Sequence, residues 1–152
     1  MSENPVKTKA RETLELALGE QLHALISASH ALNVRSAERF DATMQPAAFH
    51  LVRWLYSYGP TSAAALAEAT AMDRSSVSRL IKQLEKAGYV SKETDPEDRR
   101  GVLLSLTELG QQSTVSALKE KESTFYERIS RWDEEELERF TTMLRRFNGF
   151  NG

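Results

Sequence analysis

Residues 66–90 read LAEATAMDRSSVSRLIKQLEKAGYV, and this stretch decides the fold. Val77, Leu80, Ile81 and Leu84 recur at i, i+3, i+4 and i+7, the spacing of one buried helix face, which predicts a helix over 74–87. Asp73 is suited to cap its start, and Gly88 supplies the left-handed residue that ends it. The face opposite the apolar stripe carries Arg74, Ser75, Ser78, Arg79 and Lys82. Upstream, Thr61 or Ser62 can cap a short helix through Ala65, Leu66 and Ala69, so rich in alanine that close packing is expected. Downstream, two β-prone runs at 89–94 and 102–106 flank DPEDRRG at 95–101, which reads as a hairpin with a long polar tip.

Outward from that centre the pattern is helical. Leu14, Leu18, Leu22 and Leu25 make an apolar stripe over 10 to about 32, and the mixed residues 33–45 leave the end of that helix open. Pro46 fits the first turn of a second helix, where its missing N–H costs nothing. Phe49, Val52 and Leu55 or Tyr56 carry its buried side to the Gly59-Pro60 stop. Thr107 is expected to cap a long helix to about residue 130, with Val115, Leu118, Phe125 and Ile129 as its stripe. Asp133 and Glu136 have the spacing of a capping box for a last helix, with Arg145 and Arg146 at its negative end and Leu137, Phe140, Leu144 and Phe147 along its apolar edge. The fold class is therefore mainly α with a small two-stranded β wing: a winged helix-turn-helix between N- and C-terminal helices.

Composition narrows the function classes. The 152 residues suit one domain, 40% are apolar and 28% charged, and neither pervasive disorder nor an apolar run of the roughly 20 residues needed to cross a bilayer is present. The polar start MSENPVKTKARET lacks the pattern of a secretory signal, so a cytoplasmic location is expected, with no membrane partner. With no cysteine, disulfides, thiolate metal sites and thiol nucleophiles are excluded. Three scattered histidines lack an HExxH arrangement, so no metal and no cofactor is expected. There is no GxSxG, no P-loop and no GxGxxG, and Ser75, Ser76 and Ser78 have no nearby base, so an enzyme is not expected.

A helix followed by a narrow ribbon is what reading a DNA duplex requires, since the helix fits the major groove and the ribbon reaches the minor groove. Arginine on the 74–82 face can fork onto guanine, while serine and lysine suit phosphates. At the wing tip Asp98 is one residue removed from Arg100 and could hold that side chain ready for a narrow minor groove, with Arg99 on the backbone. The net charge of -2 points the other way, so the basic residues must act locally. A solvated helix face and an exposed hairpin tip are the plainer readings of the same residues. The outer stripes need burial, either against a second subunit or over the core of their own.

The run LAEATAMDRSSVSRLIKQLEKAGYV, the DPEDRR tip and the LSLTELG that follows resemble the MarR family of bacterial winged helix-turn-helix regulators, and the flanking helices match in order and length. The resemblance implies a single domain over 1–152, with dimerisation helices at 10–45 and 107–148 around a winged helix-turn-helix lobe at 46–106. It implies a homodimer that binds a pseudo-palindromic double-stranded operator as a repressor released by a small ligand. The expected DNA-contacting residues are Thr61, Ser62, Arg74, Ser75, Ser76, Ser78, Arg79, Lys82, Arg99 and Arg100, with Asp98 orienting the wing. The expected dimer interface includes Leu14, Leu18, Leu22, Leu137, Phe140, Leu144 and Phe147. Peroxide sensing through an N-terminal cysteine is closed to this chain, whereas a small aromatic or phenolic effector is a possible partner, with His23, His30, His50, Arg53 and Trp54 as its contributors. The alternative is a winged-helix interaction module that docks protein partners without binding DNA.

Overall fold

The computed structural model describes residues 6–149; residues 1–5 and 150–152 of the expected 1–152 domain lie outside the described residues. The element order is α1 (Lys9–Phe40), α2 (Pro46–Tyr58), α3 (Ala63–Thr70), α4 (Arg74–Lys86), β1 (Val90–Thr94), β2 (Val102–Leu106), α5 (Glu108–Ile129) and α6 (Glu134–Phe147). The chain divides into two compact units, Met1–Ala117 and Leu118–Gly152, the division falling within α5. No helix among the described residues is long and apolar enough to cross a membrane.

In the first unit the end of α1 that the sequence left open lies at Asp41. Nothing in 33–40 breaks a helix, and Leu32, Ser36, Ala37 and Phe40 are buried along one face. Asp41 then turns the chain, its Oδ1 accepting from the Thr43 N–H and hydroxyl. Pro46 begins α2, which buries Ala48, Phe49, Leu51, Val52 and Leu55 and leaves Tyr56 exposed, so Leu55 is the inward residue of that pair. The Phe40 ring meets Phe49 at 5.5 Å and Tyr89 at 4.5 Å, joining α1, α2 and the base of the hairpin.

Ser62 is the residue that caps α3, accepting from the Ala65 N–H. The alanine run packs less than expected: Leu66 and Ala67 are buried, while Ala63, Ala64 and Ala65 are exposed because α3 is short and turns one side inward. Ala71 closes α3 in the left-handed region at φ 55, which aims the chain into α4. Helix α4 buries the four predicted residues, Val77, Leu80, Ile81 and Leu84. Burial at that level is worth about 1.5–3 kcal/mol for each large aliphatic side chain, so this face fixes how the opposite one is presented.

β1 and β2 pair antiparallel with Val90 opposite Leu106, Lys92 opposite Leu104 and Thr94 opposite Val102. Thr61 adds a bridge on the other side of Leu104, with main-chain bonds of 3.1 and 2.8 Å, and so ties the wing to the start of α3. The base of the hairpin is locked to α5. Thr107 donates its hydroxyl to the Gly88 carbonyl and accepts from the Gly110 N–H. The stripe expected on α5 is corrected at one position: Val115 is 43% exposed, and Thr114 and Ala117 are buried in its place, while Leu118 is buried as expected. Thr114 can be buried because its hydroxyl donates back to the Gly110 carbonyl, a bond that apolar periodicity does not register.

In the second unit, Asp133 and Glu136 form the predicted capping box. Trp132 meets Phe140 edge-on at 5.5 Å.

Candidate nucleic-acid interface

The interface is built from the cap of α4 outward. Asp73 accepts the Ser76 N–H at 2.8 Å and the Ser76 hydroxyl at 2.7 Å, which fixes the first turn. Those bonds, the hydroxyl first, hold the Asp73 carboxyl below its ordinary range, with Arg79 adding a smaller favourable charge. Arg74, Ser75, Ser78, Arg79 and Lys82 are all exposed, on the side of α4 away from its four buried residues. Among the described residues, Arg74, Arg79 and Lys82 enter no ion pair. Ser76 stands apart from the other expected contacts, since its hydroxyl is engaged with Asp73. Thr61 and Ser62 are half-buried at the start of α3, the former with its backbone on Leu104 and the latter with its hydroxyl on the cap.

The wing tip is a stack of turns rather than a loose loop. Asp95 donates its N–H to the Gly101 carbonyl at 3.0 Å and accepts the Glu97 N–H through Oδ1 at 2.9 Å. Asp98 meets Arg100 differently from the expected contact: its Oδ1 accepts the main-chain N–H of Arg100 at 3.0 Å. No ion pair between the Asp98 carboxylate and the Arg100 guanidinium occurs among the described residues. Asp98 therefore shapes the backbone, and the side chains of Arg99 and Arg100 are exposed at the tip. A short helix–turn–helix, a basic exposed face on its second helix and a braced ribbon carrying two arginines are thus placed in one unit.

Residues 44–102, which hold the helix–turn–helix, β1 and the wing tip, match the family model described as MarR family. Over these residues the chain is similar to the MarR family. An uncharacterized HTH-type transcriptional regulator of Bacillus subtilis, YxaD, is 27% identical over 118 residues, spanning 78% of this chain and 82% of the relative. Among solved structures, a MarR family protein from Bacillus stearothermophilus matches with a TM-score of 0.70 at 22% identity, covering 94% of this chain and 97% of that one. A MepR mutant from a multidrug-resistant Staphylococcus aureus clinical isolate matches with a TM-score of 0.71 at 21% identity, covering 86% and 94%. At such identities the structural likenesses speak for the fold. The likeness is thus to HTH-type transcriptional regulators in sequence and to MarR winged-helix structures in fold.

The other features that the resemblance implies distribute unevenly. Between residues 9 and 31 of α1 no side chain is buried; Leu14 is 70% and Leu18 55% exposed, with Leu22 half-buried. On α6 no residue is buried either: Phe140 and Phe147 are exposed, and Leu137 and Leu144 half-buried. A cavity of about 440 Å³ in the first unit brings together His30, His50 and Arg53 with Val34, Phe49 and Met72. His23 and Trp54 do not line it; Trp54 packs on Tyr58 at 4.9 Å. Arg53 donates to the Ser57 hydroxyl and lies 5.7 Å from the Tyr56 ring centre. Lys92 on β1 escaped the sequence reading although it borders the predicted face. Its signal was the alternation from buried Val90, which puts Lys92 on the same side of the ribbon.

Proposed function

We propose that this chain is a sequence-specific DNA-binding repressor that acts as a homodimer on a pseudo-palindromic operator. The two copies of α4 enter successive major grooves roughly 34 Å apart, and the wing arginines reach the flanking minor grooves. The observation that carries the reading is the division of α4: four buried aliphatic residues on one side, and on the other five exposed residues, three of them cationic. The exposed apolar residues of α1 and α6 support a second subunit, because apolar rows of that kind seek cover. The cavity holding His30, His50 and Arg53 supports release by a small aromatic or phenolic acid, whose carboxylate would pair with the Arg53 guanidinium while its ring meets Phe49 and Met72. The similarity of residues 44–102 to the MarR family supports cytoplasmic regulation of transcription.

Duplexes selected from random DNA and tested by fluorescence anisotropy give the test. Arg79→Ala is expected to cost about 1–3 kcal/mol and to relax base preference, and Arg100→Ala to weaken binding at the flanks. Unchanged affinity in both variants would remove these residues from the interface. Glu93, Asp95 and Glu97 beside the wing tip favour a second reading, a winged-helix module that docks a protein. Absence of salt-sensitive duplex binding by the wild type would select it over the first.

A further inference from the structure

The groove between α4 and the hairpin extends the basic surface beyond the recognition face. Ala63, Ser78, Ile81, Lys82, Lys92 and Leu104 line a cavity there of about 210 Å³, and no carboxylate is among its walls. Ser78, Lys82 and Glu85 follow at i, i+4 and i+7, so they share one stripe of α4. Lys92 stands opposite Leu104, which Thr61 holds from its other side, so the backbone carrying Lys92 is fixed relative to α3. The Lys92 ammonium lies 3.5 Å from Glu85 Oε2, with each side chain 45% exposed. A long, open pair of this kind contributes little and exchanges readily for a better partner. Lys82, one turn away, enters no ion pair among the described residues.

We infer that this groove seats one backbone phosphate of bound DNA, held by Lys82, Lys92 and the Ser78 hydroxyl, and that Glu85 is a latch competing with that phosphate for Lys92. Two ammonium groups and a hydroxyl above an apolar floor suit a singly charged phosphodiester, and such a contact sets register without reading bases. The inference rests on the DNA-reading role above and adds to it a contact from Lys92 on the hairpin, beside the recognition face, and an intramolecular competitor.

The test uses the full chain and duplexes of several unrelated sequences, with anisotropy followed over a salt series. Lys92→Gln is expected to make the fall of log affinity with log salt shallower by about 0.9, equally on every duplex, and Lys92→Arg to restore the slope. Glu85→Gln is expected to tighten binding by up to about fivefold, a gain that disappears when Lys92 is already glutamine. An unchanged slope in Lys92→Gln, in a protein whose Arg79→Ala variant still binds more weakly, overturns the phosphate seat and leaves DNA reading intact. An equal gain from Glu85→Gln in both backgrounds overturns the latch, because it marks the general field of the charge. Inorganic phosphate titrated by calorimetry separates the ligand sources: phosphate binding lost in Lys92→Gln with the DNA slope unchanged assigns the groove to a free anion and overturns the inference. A wild type without salt-sensitive duplex binding overturns both readings.

Discussion

The Tyr89 hydroxyl donates a 3.0 Å hydrogen bond to Asp41 Oδ2, linking the end of α1 to the base of the wing across 48 residues of sequence. Asp41 is held below its ordinary value of 3.8 by the Thr43 hydroxyl first, then the Thr43 N–H and Tyr89. Tyr89 is pushed above its ordinary value of 10.0 by burial first, then by Asp41. The stabilisation from Asp41 is therefore present above the ordinary aspartate value and lost as pH falls through the lower folded value. That from Tyr89 is present below 10.0 and lost as pH rises through the higher folded value. Tyr89→Phe is expected to cost about 1 kcal/mol near neutral pH and to remove the alkaline loss, measured as denaturant midpoints across pH.

Gly110 in the first turn of α5 is expected to reject the smallest side chain. Glycine to alanine in a helix ordinarily stabilises by about 0.5–1 kcal/mol. Here a Cβ would stand 2.1 Å from the Tyr89 carbonyl oxygen, which is backbone and already accepts from the Thr107 N–H. Gly110→Ala should reverse the usual sign and destabilise by roughly 3 kcal/mol, with the hairpin base displaced. Thermal and urea unfolding of the variant check both the sign and the size.

Ala71 presents the opposite case. At φ 55 it holds the left-handed conformation in which a Cβ is disfavoured, between the two helices of the reading motif. Ala71→Gly relieves that strain at some cost in unfolded-chain entropy, and a net gain of about 0.5 kcal/mol is expected. Ala71→Val should lose about 1–3 kcal/mol, since a branched side chain tolerates this region least. The ordering of the three melting temperatures, Gly above Ala above Val, is the measurement.

Charge placed on the exposed stripes should separate the proposed subunits. Leu18→Glu and Phe147→Glu alter residues that are 55% and 64% exposed, so neither removes a buried contact within the chain. Sedimentation equilibrium is expected to show weaker self-association in each variant and monomer in the double variant. Far-UV circular dichroism reports whether helix content is retained. DNA affinity should fall with the loss of dimer, because two linked half-sites bind far more tightly than one.

What the sequence by itself determined is what acts within a few residues along the chain. The four-residue stripe of α4, the Asp73 cap, the Gly88 stop at φ 86, the Asp133 capping box and the two strands were all legible. Each follows from spacing or from a side chain reaching its own neighbouring backbone. The exposed face of α4 was legible for the same reason, since burying one side of a helix dictates the other. Only the tertiary structure decided the rest. It carried α1 to Phe40, where the Asp41 turn and aromatic packing stop it, and placed Thr114 rather than Val115 inside through a hydroxyl bond to Gly110. It set Asp98 on the Arg100 main chain, and it brought Thr61 to Leu104, Lys92 to Glu85 and Tyr89 to Asp41. Apart from the Asp98 turn, these contacts join elements through packing or satisfy a buried polar atom, and neither leaves a periodic mark in the order of the residues.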